Sequence, residues 1–177
     1  MRSLPVSFLA FALVCAAAGC SAPSQPKAMI AVPTGEVHHS SQTVSVFVSG
    51  GKETSSVYAS QISDKDFAQA LRDSIEKSGL FAKAMDTTGG TYRLDAFIGE
   101  LAQPVLGFDM TVTMEVGYTL SDVRAQKPVW KKSIRSTYTA TTKDSIIGAT
   151  RLQMANEGAA RQNIEQAISE MSKLNLD

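Results

Sequence analysis

Cys20 is the residue whose type and setting most directly promise covalent chemistry. Its thiol follows Ala17-Ala18-Gly19, and these close a short apolar run from Leu4 to Ala18 with Arg2 ahead of it. A positive start, an apolar stretch and small residues before a cut are the parts of an export signal. A cysteine directly after the cut can carry a diacylglycerol on its sulfur. Residues 1–19 therefore read as a bacterial lipoprotein signal peptide, and Cys20 as the lipidated, N-acylated first residue of the mature chain. The run is shorter than the roughly 20 residues that span a bilayer, which argues against a transmembrane helix. An ordinary secretory cut could fall in Ala16-Ala17-Ala18, but the Gly19-Cys20 pair favours lipidation. Each buried methylene of an acyl chain contributes about 0.8 kcal/mol; one chain holds a protein reversibly, two or three hold it stably. Asp after the lipidated cysteine favours inner-membrane retention, so Ser21 points to the outer membrane of a Gram-negative cell, on the periplasmic side.

Other residues offer less. The two histidines are the adjacent pair His38-His39, a spacing that cannot put two ligands on one helix face, so no metal site is expected. A Ser-His-Asp arrangement would have to use that pair, and nothing marks a serine partner. Gly50-Gly51 and Gly89-Gly90 lack the flanks of a phosphate loop and read as turns, and no Gly-x-Ser-x-Gly elbow occurs. The expectation is a protein without catalytic residues or a cofactor. Cys15 leaves with the signal and Cys20 carries lipid, so no thiol is left for a disulfide. Lys+Arg and Asp+Glu are equal at 17 each, which gives no electrostatic reason for a nucleic-acid partner.

The elements that must position any surface are legible to different degrees. Residues 20–42 read as the lipidated cysteine followed by tether and loop, with Ala28 to Val32 as a short first strand, and residues 43–177 as one domain. From Thr43, Val44, Val46 and Val48 alternate as a half-buried strand, with Phe47 interrupting its polar face. Ser63 and Asp66 resemble a capping box, Phe67, Leu71 and Ile75 form a stripe, and Gly79 suits a left-handed cap; together they predict a helix over 64–78. Tyr92, Leu94, Ala96 and Ile98 share one face of a strand ending near Pro104. Phe108, Met110, Val112, Met114, Val116, Tyr118 and Leu120 alternate with polar residues as the clearest strand. Val129 to Thr139 returns with Trp130, Ile134 and Tyr138 inward; Lys132 and Ser136 weaken that phase and suggest an edge strand. In this phase Trp130 reads as core rather than as a stacking platform. A closing helix is expected over about 149–173, with small residues Gly158, Ala159 and Ala160 allowing close approach to a sheet. This order gives an α+β fold, two helices packed on one face of a mostly antiparallel sheet.

Two helices on one face leave the other uncovered. Asp109, Thr111, Thr113, Glu115 and Lys131 lie out of phase with the buried stripes and define the candidate partner surface. The helix ending Leu71-x3-Ile75-x3-Gly79-Leu80-Phe81, the meander through Met110 to Met114, and Ala159-Ala160-x3-Ile164 are similar to small outer-membrane lipoproteins of the LPS-assembly (LptE-like) and YajG-like kind. The resemblance covers about residues 43–174 and is one of layout. LptE proteins carry Gly-Phe/Trp-His-Leu after the lipidated cysteine, whereas this chain has Ser21-Ala22-Pro23-Ser24. The resemblance implies a periplasm-facing lipoprotein that works by binding. The functional expectation is thus a non-enzymatic lipoprotein held to the outer membrane by its lipid anchor. It would support an envelope assembly or transport complex through an envelope protein partner. The alternative is a binder of an apolar or glycan envelope ligand.

Overall fold

A computed structural model describes residues 22–54 and 60–177. The signal segment, Cys20 and Ser21 lie outside them. The structure is α+β: one five-stranded mixed sheet with helices packed on it. In chain order the elements are α1 (Pro26–Met29), β1 (Ser40–Ser49), α2 (Asp64–Ser78), β2 (Phe81–Met85), β3 (Tyr92–Ala102), β4 (Met110–Asp122), β5 (Lys127–Ala140) and α3 (Gly148–Met171). The strands lie in the order β2-β1-β3-β4-β5. β1 runs parallel to both β2 and β3, while β3–β4 and β4–β5 are antiparallel. Parallel neighbours need a crossover, and α2 supplies it between β1 and β2. The antiparallel half is the long meander that the alternation of residues 110–120 announces.

Local chemistry accounts for the helix ends. The Ser63 hydroxyl accepts from the Asp66 amide at 3.1 Å, and Gly79 caps the far end in a left-handed conformation, φ 71°. The stripe of α2 is buried at Phe67, Leu71 and Ile75. In α3 the buried stripe includes Leu152, Ala155, Ala159, Ala160, Ile164, Ala167, Ile168 and Met171. Against these stripes stand Val44 and Val46 of β1, Leu94 and Ala96 of β3, and Val112, Met114, Val116, Tyr118 and Leu120 of β4, all buried. Trp130 is half-buried with its ring 6.1 Å from that of Tyr118, so it packs against the core.

Four local readings change. Ala28 to Val32 is no strand: Pro26 opens the single-turn helix α1. Met29 and Ala31 are buried, and the Ala31 amide donates to Ser74 Oγ of α2 at 2.9 Å. Within the stretch read as tether and loop, Ser24 is buried as well, and β1 already begins at Ser40, while residues 32–39 form the expected loop. Phe108 lies before β4 and is 85% exposed, because the strand starts at Met110. Finally, β2 forms where no strand was expected, pairing Phe81 with Ser40 and Ala84 with Val44.

β5 is an edge strand, and the two residues that break its apolar phase are polar contacts to α3. Ser136 Oγ donates to the Ala159 carbonyl at 2.8 Å, and Lys132 Nζ meets Glu170 Oε2 at 2.8 Å. Beneath them is a buried polar cluster. Asn163 Oδ1 accepts from the Tyr118 hydroxyl at 2.8 Å, and its Nδ2 donates to the Ile134 carbonyl at 2.8 Å and to Ser136 Oγ at 3.1 Å. Complete burial raises the Tyr118 pKa far above the phenolic range, so the hydroxyl stays protonated and donates. The cluster ties α3 to β4 and β5 with every polar atom of the Asn163 amide in use.

Candidate functional site

The face of the sheet away from the helices is where the sequence places its partner surface. Thr111, Thr113 and Glu115 of β4 and Lys131 of β5 are on it; Thr111 and Lys131 are exposed and the other two half-buried. Asp109 is not: it sits in the bend before β4 at one end of the molecule, because the strand begins a residue later than the alternation suggests. Lys131 stands opposite Thr119, so it does not pair with Glu115.

Cross-strand pairing organises the surface. Thr111 and Thr139 hydroxyls meet at 2.8 Å, and those of Thr113 and Thr137 at 3.0 Å. Ser133 Oγ donates to Glu115 Oε1 at 2.7 Å. Arg135, opposite Glu115, lies 3.6 Å from that carboxylate and 3.4 Å from Glu100. Glu100 reaches this face because the β3–β4 register shifts between Ile98 and Glu100, one extra residue turning the following side chains over. That irregularity has no signature in the alternation of β3.

Two aromatics belong to the same face. Phe47 is covered by the Arg93 guanidinium at 4.3 Å, which also forms a 2.7 Å ion pair with Asp95. Phe97, opposite Gly117, is 57% exposed. Gly117 has open space where a side chain would be. The result is a shallow hollow of about 260 Å³ lined by Phe47, Arg93, Asp95, Phe97, Gly117 and Thr119. Phe97 is an aromatic in the polar phase of its strand, a signal that the sequence carries in plain view beside Arg93 and Asp95.

A larger cleft, about 590 Å³, lies between the β5 edge and α3, with Pro33 to Gly35 at its rim. Its walls include Lys132, Arg135, Glu165 and Glu170. Hydrogen bonds from Lys132 and Lys173, both at 2.8 Å, hold the Glu170 carboxyl down at about 2. A depressed folded pKa contributes stability that is complete above the ordinary carboxylate value and is lost as pH falls towards the folded value. For Glu170 the window runs from about 4.5 down to about 2. Carbon-detected NMR titration should find Glu170 still ionised at pH 3, and Lys132→Met should move its midpoint upward. A wild-type midpoint at the ordinary value would contradict this ion-pair geometry.

Other candidates have structural roles. His38 and His39 are exposed, and His39 Nδ1 lies 3.0 Å from the Gly79 carbonyl at the end of α2. Asp64 and Asp66 serve the start of α2, Asp64 Oδ1 accepting from the Gly51 amide and Asp66 meeting Ser63. Among the described residues, no group of three His, Cys, Asp or Glu side chains is placed to hold a metal ion. No helix among them is long and apolar enough to cross a membrane. Cys20 lies outside the described residues.

An uncovered mixed sheet backed by two helices is a fold found in known bacterial proteins. No family model matches the chain, and no curated protein matches it in sequence. The fold is shared with a DUF330 protein from Xanthomonas campestris at TM-score 0.63 and 13% identity, covering 81% of this chain and 91% of that one. It is also shared with PelC from Paraburkholderia phytofirmans, solved as a dodecamer, at TM-score 0.52 and 13% identity, covering 80% and 94%. An uncharacterised lipoprotein B from Nitrosomonas europaea matches at TM-score 0.52 and 13% identity, covering 78% and 87%. At these identities the likeness is one of fold.

Proposed function

We propose that this chain is a non-enzymatic bacterial lipoprotein, anchored by acyl chains on Cys20 to the periplasmic side of the outer membrane. Its work is protein contact within an envelope assembly or transport complex. The observation that carries the contact reading is the uncovered sheet face. Both long helices lie on the other side of the sheet. The interlayer space holds fully buried side chains such as Phe67, Leu71, Ile75, Leu94, Met114 and Ile164. A face that the fold leaves open, polar but with Phe97 standing on it, is suited to a reversible partner. An LPS-assembly role of the LptE-like or YajG-like kind is the finer form of this reading, supported by the layout resemblance alone.

Two measurements test it. Cys20→Ala should abolish acylation and leave an unprocessed or soluble form; a mutant still lipidated and membrane-bound would remove the anchor. A photoreactive residue at Thr113 should crosslink an envelope protein in living cells, while one at Lys173 should not. Crosslinking at Lys173 alone would place the partner elsewhere. A second reading, recognition of a glycan, is favoured by the hollow beside Phe97, where an aromatic face adjoins the Arg93–Asp95 pair. Under that reading Phe97→Ala would abolish sugar binding and leave the Thr113 crosslink intact.

A further inference from the structure

Five large apolar side chains stand in solvent at one end of the molecule: Val105 (94% exposed), Leu106 (87%), Phe108 (85%), Ile146 (91%) and Ile147 (60%). The first three lie between β3 and β4, the other two between β5 and α3. Met110, which opens β4, pairs with Ala140, which closes β5. A β-carbon on Gly148, the first residue of α3, would lie 3.8 Å from Met110 Cε. The two segments therefore leave the sheet side by side. Their roots are fastened: Gln103 Nε2 donates to the Ser60 carbonyl at 2.7 Å and to Asn156 Oδ1 at 2.8 Å, and Arg151 Nη1 donates to the Ser145 carbonyl at 2.8 Å. Single exposed apolar residues are ordinary on a soluble protein, whereas a cluster of this kind marks a contact.

The chain's N-terminal exit is at the same end. Ser24 is buried, the Gln25 amide donates to Glu157 Oε1 at 2.8 Å, and Gln153 Nε2 donates to the Pro23 carbonyl at 3.0 Å. Gln153 lies only about 7.5 Å along the helix axis from Gly148. Cys20 precedes Pro23 by three residues and so lies at most about 11 Å from it. A body fixed at Pro23 and acylated at Cys20 has too little slack to stand its nearest loops away from the bilayer.

We propose that the apolar end formed by Val105, Leu106, Phe108, Ile146 and Ile147 is a membrane-contact surface. It enters the headgroup and upper acyl region of the bilayer that holds the Cys20 anchor. The inference rests on the lipidation of Cys20. It deepens that reading by orienting the body end-on, with the two loops at the lipid, the β4–β5 turn farthest from it, and the open sheet face upright and free for a partner. Apolar side chains presented at an interface add to lipid binding in proportion to the area they bury.

The test uses the lipidated mature chain, whose Cys20 sulfur is blocked and which has no other thiol. Leu106→Cys and Val123→Cys variants, each labelled with an environment-sensitive fluorophore, are reconstituted on phosphatidylethanolamine–phosphatidylglycerol vesicles and floated. Val123 is in the turn at the opposite end. The Leu106 label should shift to the blue and lose most of its emission to lipids spin-labelled near the headgroup, while the Val123 label stays water-like. Flotation with a water-like Leu106 label would overturn the membrane contact and leave the anchor standing. Failure to float would overturn the anchor and the inference that rests on it. A blue shift that needs no vesicles and grows with protein concentration would overturn it in favour of a second copy of the chain.

Discussion

Asn163→Leu should lower the stability of this protein by roughly 3 kcal/mol or more, since each buried group left without its partner costs about 1–3 kcal/mol. The change keeps the side-chain size and removes the acceptor of the Tyr118 hydroxyl and the donor to the Ile134 carbonyl, all at full burial. At roughly 2–4 °C per kcal/mol for a chain of this size, the loss is plain in a thermal melt. Adding Tyr118→Phe to the mutant should recover part of it, because a pair of apolar groups leaves less unsatisfied than one stranded hydroxyl. A mutant that melts like wild type would mean that the cluster is an ornament of the core. Failure of Tyr118→Phe to recover anything would mean that the damage lies with Ile134 and Ser136.

Gly158→Ala should also destabilise, against the helix propensity that favours alanine over glycine by about 1 kcal/mol. A β-carbon there would overlap Tyr138 Cγ, near the root of the ring, where a small rotation gives no relief. Overpacking of this sort costs typically about 1–3 kcal/mol. In a Tyr138→Ala background the clash disappears, and Gly158→Ala should then stabilise. Differential melting of the four proteins reads the reversal of sign directly. A stabilising Gly158→Ala in the wild-type background would show that α3 stands farther from β5 than the ring contact requires.

Both predictions fall on residues that the sequence reveals in different ways. The run Gly158-Ala159-Ala160 is legible as a place where a helix comes close to a sheet, because small residues on a buried stripe have little other use. Asn163 is not legible. Its position, four residues after Ala159 and four before Ala167, is on the buried stripe, but an amide there says nothing of its partners, and only Tyr118 and β5 across the interface supply them. α2 was legible at both ends because its signals, Ser63, Asp66 and Gly79, act within a few residues of themselves. β4 was legible through seven positions of alternation, and even there the start slipped from Phe108 to Met110, since an apolar residue in phase can equally stand in a loop. β2 is five residues long with no sustained alternation, and its pairing with β1 depends on a crossover that period-two patterns do not encode. For the same reason the parallel direction of β1 against β3 could not be read.

The candidate surface follows the same division. Thr111, Thr113, Glu115 and Lys131 were placed by phase alone, and the structure puts them on the open face. Asp109 was lost with the strand start. Arg135 and Glu100 were joined by a bulge that no local pattern announces, and Phe97 was visible as an aromatic on the wrong side of its strand.

The central claim, that partner contact is made through the open sheet face, is tested most directly by charge reversal on it. Glu115→Lys together with Lys131→Glu changes two residues that the core does not use. Exposed ion pairs such as Glu115–Arg135 contribute only about 0–1 kcal/mol, so the melting temperature should stay close to that of wild type. Recovery of crosslinked envelope neighbours from cells carrying the double variant should nonetheless fall sharply. If the variant keeps every neighbour that wild type captures, at unchanged membrane association, the binding surface is not this face.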